Sequence, residues 1–180
     1  MILIEWLRKH RSPVVKAWID RVIATYPPDA ALFLRSQSDR FANPVGQTII
    51  ASLEGIFDAL LEDFDPEKLT SLLDPIIRIR AVQSFTPSQA VGFTLELKRV
   101  IRDRLGSHRF DTLSLQEWRA FEARIDALAL LAFDIYVACR EQIANLRVST
   151  ERDKTYRAFA RAGLIVEVPD EAPDLNVSPS

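Results

Sequence analysis

The chain has 180 residues, 48% of them hydrophobic, and a net charge of −2, enough to bury one sizeable core and short for two domains. Its apolar residues come in short clusters broken by Arg, Asp or Glu, with no run near the roughly 18–20 residues of a membrane-spanning helix. Its basic residues are scattered rather than gathered into a stripe, so membrane insertion and nucleic-acid binding are both disfavoured.

The N-terminal MILIEWLRKHRSP is apolar first and basic afterwards, the reverse of a secretory leader, and it lacks a small-residue cleavage site. It reads as the first helix. Four further helix starts use one device, a capping-type residue followed by proline at the first helical position, where the missing N–H costs nothing. Ser12-Pro13 opens VVKAWIDRVIATY, Asn43-Pro44 opens VGQTIIASLEGIFDALLEDF, Asp65-Pro66 opens EKLTSLLDPIIRIRAVQ, and Thr86-Pro87 opens SQAVGFTLELKRVIRDRL. After the first of these, Tyr26-Pro27-Pro28-Asp29 forms a corner, AALFLRSQ a short helix, and SDRFAN a polar linker. Thr86 with Gln89, and Ser114 with Glu117, have the spacing of a reciprocal capping box, and Gly106 stops the helix begun at Pro87.

The longest expected element runs from Leu115 to Arg147. Trp118, Phe121, Ile125, Leu128, Ala132, Ile135, Cys139, Ile143 and Leu146 recur there at steps of three or four, one continuous helical face. Around Leu128 to Val137 the opposite side is apolar too, which places this stretch among enclosing helices. At about 1.5 Å per residue it spans roughly 50 Å, more than the width of a compact domain of this size, so its end is expected to project or to pair with a second copy. Strand signals are nearly absent: no Asn-Gly or Asp-Gly turn occurs, and only LIVEV, at residues 164–168, alternates. The expected fold is therefore all-α, a single-domain helical bundle over residues 1–166 with one long central C-terminal helix. From Glu167 onward, EVPDEAPDLNVSPS is acidic and poor in large apolar groups, which predicts a disordered tail over 167–180.

Chemistry is conspicuous by absence. The five glycines, Gly46, Gly55, Gly92, Gly106 and Gly163, permit no GxG, GxGxxG or P-loop, and GxSxG, HExxH and CxxC do not occur. A di-iron bundle needs Glu-x-x-His pairs, and neither histidine has a Glu three residues before it. Glu54, Asp58 and Glu62 align at i, i+4 and i+8 but flank an apolar face, so they read as a solvated acidic edge. His10 ends the first helix and His108 follows the Gly106 stop, neither placed as a haem ligand. The lone Cys139 sits on the buried stripe as a small hydrophobe; a single cysteine forms no internal disulfide and fits a reducing compartment, with the cytoplasm as the expected location. No catalytic residue, metal or cofactor is expected, and the chain is not read as an enzyme.

Arg78 and Arg80, in IIRIRAVQSF, stand out because one of them is expected to turn inward, where a guanidinium needs a carboxylate or carbonyl partner. A buried structural ion pair and an anion- or partner-binding role both fit. Gly55 and Gly92 each cost up to ~1 kcal/mol relative to Ala inside a helix, which points to close helix packing or to a ligand approaching the backbone.

Read together, Trp18 with ATYPPDAALFLR, DRFANPVGQTI, IIRIRAVQSFTPSQAVGFTLELKRVIR and IYVACREQIANLR resemble the N-terminal domain of RsbRD-type RsbT co-antagonists, over about residues 10–150. The resemblance implies a signal-input domain with a globin-like helical fold that carries no haem, forms a homodimer and precedes a STAS domain, which this chain is too short to include. It brings Arg140 and Glu141 of the CRE segment into view. The candidate partner- or ligand-binding residues are thus Asn43, Arg78, Arg80, Gln83, Gln89, Arg140 and Glu141. The leading functional expectation is a stand-alone regulatory module acting on an unidentified signalling partner through changes at a dimer interface. The alternatives are a small-molecule-binding helical protein and an accessory factor of an anaerobic redox complex.

Overall fold

The computed structural model describes residues 2–36, 43–83, 85–111 and 115–164, without the side chains of 35, 36 and 107–111. These residues are all-α, in the order α1 (Leu3–Lys9), α2 (Arg11–Ile23), α3 (Pro28–Ser36), α4 (Pro44–Leu60), α5 (Pro66–Val82), α6 (Pro87–Val91), α7 (Phe93–Asp111) and α8 (Leu115–Arg161). They fall into two units, Met1–Gln142 and Ile143–Ser180. The Ser114 cap, the stretch after Leu164 with the acidic tail, and the His108 side chain lie outside the described residues.

Three of the four proline-marked starts hold as capped helices. The Asn43 side chain accepts from Gly46 N at 2.8 Å, the Asp65 carboxylate accepts from Glu67 N and Lys68 N, and Thr86 and Gln89 form the full reciprocal box. The fourth differs. Ser12 lies inside α2, which opens after His10 with no side-chain cap. His10 instead ends α1, its ring stacked on Trp6 at 4.3 Å and its Nδ1 donating to the Trp6 carbonyl. Pro13 still falls in the first turn, where its lack of an N–H is tolerated.

The helix expected from Pro87 is two helices. A Cβ on Gly92 would come within 2.6 Å of the Ser88 carbonyl oxygen, so the bend from α6 into α7 is built on a side chain that is missing. Helical geometry then breaks at Gly106, where φ is 69°, as the sequence foreshadows. At Gly55 a Cβ would meet Leu72 of α5 at 2.8 Å, the close helix packing anticipated for that position. Pro75 lies inside α5; it leaves the Ser71 carbonyl without an intrahelical donor, on an exposed residue where water can reach it, while Leu69, Leu73, Ile76 and Ile77 keep the buried face.

In the first unit, α4 packs on α5, and α2 packs on both α7 and α4. The core is built from Trp18 of α2, Ile49, Leu53 and Phe57 of α4, the α5 face just named, and Phe93 and Leu97 of α7. α8 contributes Trp118, Phe121, Ile125, Leu128, Ala132, Tyr136 and Cys139.

Two expectations for α8 are corrected. It does not end near Arg147 but continues to Arg161, where Gly163 (φ 66°) closes a glycine cap: Leu164 N donates to Phe159 O and Gly163 N to Ala160 O. Its middle is not enclosed either. Leu130 is 68% exposed, Phe133 44% and Val137 37%, while Leu146, expected on the buried stripe, is 68% exposed. Tyr136 rather than Ile135 takes the buried position, because a straight helix advances 3.6 residues per turn and the apolar face drifts around it.

Two variants test the local physics. Asn43→Ala removes the cap together with its bonds to the Phe33 and Leu34 carbonyls, and is expected to cost roughly 2–3 kcal/mol in urea denaturation. Gly92→Ala gains helix propensity, yet it should lower the melting temperature because the added methyl meets backbone rather than a movable side chain.

Candidate functional site

The pair Arg78 and Arg80 separates as helical spacing requires, with neighbours two apart pointing to different sides. Arg78 is exposed and pairs with Asp74 one turn earlier, Nε to Oδ2 at 2.6 Å. Arg80 is 0% exposed. Its guanidinium donates to the Gln89 carbonyl at 2.9 Å, to Thr25 Oγ1 at 2.9 Å and, longer, to the Val22 carbonyl at 3.4 Å. Thr25 Oγ1 in turn donates to that same Val22 carbonyl at 2.6 Å. Val22 lies in the last turn of α2, whose carbonyls have no partner within the helix and carry the negative end of its dipole.

Three aromatic rings surround the cation. Tyr26, Phe85 and Phe93 each have their centroid 4.9 Å from Arg80 Cζ, within the range of cation–π attraction. Phe93 is fixed from behind by Trp18, whose Nε1 donates to the Phe93 carbonyl at 2.8 Å. Among the described residues no carboxylate pairs with Arg80: every acceptor it reaches is neutral. Burial lowers its pKa, with Tyr26 pulling the other way, and a guanidinium stays protonated at neutral pH regardless.

Two polar atoms of this cluster are left over. Arg80 Nε and the Tyr26 hydroxyl are buried without a hydrogen-bond partner among the described residues. The hydroxyl lies beside the Arg80 guanidinium. Burial pushes the Tyr26 phenol up, only partly offset by the Arg80 charge, so the phenol holds its proton.

Against this cluster lies an open cleft of about 610 Å³ lined by Thr25, Tyr26, Pro27, Ala30, Gln83, Phe85 and Gln89. Four of these, Thr25, Tyr26, Phe85 and Gln89, are the residues that hold Arg80. Two carbonyls near the cleft are tied to α8: Tyr136 Oη donates to that of Phe85 at 2.6 Å, and Arg140 Nη1 to that of Ala81, in the last turn of α5, at 3.1 Å.

Of the residues singled out in sequence, Gln83 and Gln89 line one cleft, Arg80 is buried against residues that line it, and Arg140 holds the end of α5. Arg78 faces solvent, Glu141 is exposed on α8, and Asn43 is a buried cap whose amide is spent on α3 and α4. Elsewhere Asp58 pairs with Arg11 and Glu62 with Lys68. Among the described residues no group of three or more His, Cys, Asp and Glu is placed to hold a metal, and no helix is long and apolar enough to cross a membrane. Burial raises the Cys139 thiol above its ordinary pKa, which disfavours the reactive thiolate.

With this geometry in place, the comparison with known proteins is specific. The family model of the RsbT co-antagonist protein rsbRD N-terminal domain matches residues 12–149. The chain belongs to that family. All the cleft residues and the inward face of α8 fall within the matched span. A protein of Archaeoglobus fulgidus, described as uncharacterized, is 27% identical over 139 residues that cover 77% of this chain and 82% of its own. No solved structure matches.

The contrast between the two arginines is measurable. Arg80→Met leaves the Gln89 carbonyl and Thr25 without their donor and should cost roughly 2–4 kcal/mol in denaturant unfolding. Arg78→Ala removes only an exposed pair and should leave the transition where it is.

Proposed function

We propose that this member of the RsbRD N-terminal domain family is a signal-input module that acts without catalysis, through protein–protein contact, with a second copy of the chain seated on α8. The observation that carries the reading is the outward stripe of Leu130, Phe133 and Val137, which repeats at steps of three and four on the side of α8 opposite its core-facing residues. Large apolar groups so aligned gain most by packing against another helix. Asp126, Asp134 and Glu141 flank the stripe and are exposed, a polar border that keeps the chain dispersed when the stripe is free.

The inward face of the same segment holds the Phe85 carbonyl beside the cleft through Tyr136 and the end of α5 through Arg140. A change at either bears directly on the helix that carries the stripe, and a signal acts by shifting the balance between two packings of α8. In keeping with the family description, we place this action in the control of RsbT-type stress signalling in the cytoplasm, with a protein as the downstream partner and neither nucleic acid nor membrane required.

Sedimentation velocity over a concentration series tests the interface. The wild-type chain should pass from monomer to dimer, and Phe133→Asp, which puts a charge on an already exposed position, should remain monomeric with an unchanged helical circular-dichroism spectrum. A wild-type chain that stays monomeric throughout removes the dimer.

A further inference from the structure

We propose that α8 pairs with α8 of a second copy in the antiparallel sense, so that the basic distal stretch of each helix lies along the outward stripe of the other and Glu141 of one copy meets Arg152 of the other. This rests on the dimer proposed above and adds its direction and its specificity. The first observation is spacing. The stripe of Leu130, Phe133 and Val137 does not stop at its border: at further steps of four, three, four, four, three and four it runs through Glu141, Ala144, Val148, Arg152, Thr155 and Phe159, every one of them exposed on α8. A line with a mean step of about 3.6 stays on one side of a helix. Its distal part borders an open groove of about 610 Å³, lined among others by Val148, Thr155, Tyr156 and Phe159, where the side chains of another helix can seat.

Charge decides the direction. Glu141 and Arg152 are the two charged positions on this line, with the smaller Ala144 and Val148 between them, and neither has a hydrogen-bond or ion-pair partner among the described residues. If two copies ran the same way in register, each would face itself, carboxylate against carboxylate and guanidinium against guanidinium, and like charges set opposite each other work against association. In a two-fold antiparallel pair the contact is reciprocal. Glu141 then faces Arg152 twice over, Ala144 faces Val148, Val137 faces Thr155, and Phe133 faces Phe159. A polar pair within an otherwise apolar helix seam is a known means of fixing register.

The borders of the line agree. Beside the stripe the exposed Asp134 adds a second uncompensated acid. Beyond Leu146, Lys154 and Glu151 pair with each other at 2.8 Å, and Arg147, Arg157 and Arg161 stand exposed against Asp153 alone. An acidic stretch and a basic stretch of one helix meet only when a second copy supplies the other, reversed.

Sedimentation equilibrium on the full chain and three charge variants tests the direction. Glu141→Arg and Arg152→Glu each reverse one exposed charge, so both should keep the wild-type helical circular-dichroism spectrum. Each should weaken the dimer about tenfold, and the double variant Glu141→Arg/Arg152→Glu should return to within about threefold of wild type. In a parallel pair neither reversal has this effect, because each exchanges one like-charge contact for another. Single variants that dimerise as wild type does, or a double variant no tighter than the singles, would overturn the antiparallel pairing and leave the dimer standing. A wild-type chain that stays monomeric removes both.

Discussion

The interaction on which the first unit depends is the buried guanidinium of Arg80. It stands where the end of α2, the end of α5 and the short α6 converge, and it bonds or stacks on residues from all three neighbourhoods together with Phe93 at the start of α7. Taking a cation out of water is costly. The cost is offset here by carbonyl dipoles at a helix end and by three ring faces, not by an opposite charge, and that choice has a consequence. Paired with a carboxylate, the group would be electrostatically closed; solvated by neutral dipoles, it remains a net positive charge inside the first unit.

The same solution recurs at other helix ends. The last carbonyls of a helix need donors from outside it, and in this fold arginines from other helices provide them. Arg124 of α8 donates to the Leu60 and Glu62 carbonyls where α4 ends, and Arg8 of α1 to the neighbouring Leu61 carbonyl. Arg140 serves the end of α5 through the Ala81 carbonyl. Each bond satisfies an orphan acceptor, complements the dipole and fastens two elements distant in sequence. Ends tied in this way are held to another helix, whereas α8 is closed by its own glycine at Gly163.

Local rules made much of this legible from sequence. Proline with a preceding Asn, Asp or Thr marks α4, α5 and α6 because capping is decided within four residues, and the 3.6-residue stripe from Trp118 to Cys139 finds the buried face of α8. Ser12-Pro13 misleads because the same dipeptide also fits the first turn of a helix already begun. The bend at Gly92 escapes periodicity because it rests on clearance from one carbonyl oxygen. Of the site, Arg80, Gln83 and Gln89 stand out through an arginine in an apolar run and the glutamines around it. Thr25, Tyr26 and Phe93 do not, since they meet Arg80 only when α2 and α7 close on α5, across 55 residues of chain in the case of Thr25. The enclosed middle assigned to α8 fails for an instructive reason: an all-round apolar stretch must be covered, but nothing in a single sequence states that the cover belongs to the same chain.

That last point bears on how the module works. Along residues 125–140, α8 has two apolar faces with different commitments. One is locked into the core through Ile125, Leu128, Ala132 and Tyr136, and from it the Tyr136 hydroxyl holds the Phe85 carbonyl and the Arg140 guanidinium the Ala81 carbonyl at the end of α5. The other presents Leu130, Phe133 and Val137 outward. A packed helix responds to strain by changing between discrete arrangements, because close-packed side chains do not deform continuously. Phe85, whose ring lies against Tyr26 and Arg80, is bonded through its own carbonyl to Tyr136, one residue before Val137 in the outward stripe. Cleft and stripe are thus joined through one hydrogen bond and the width of one helix.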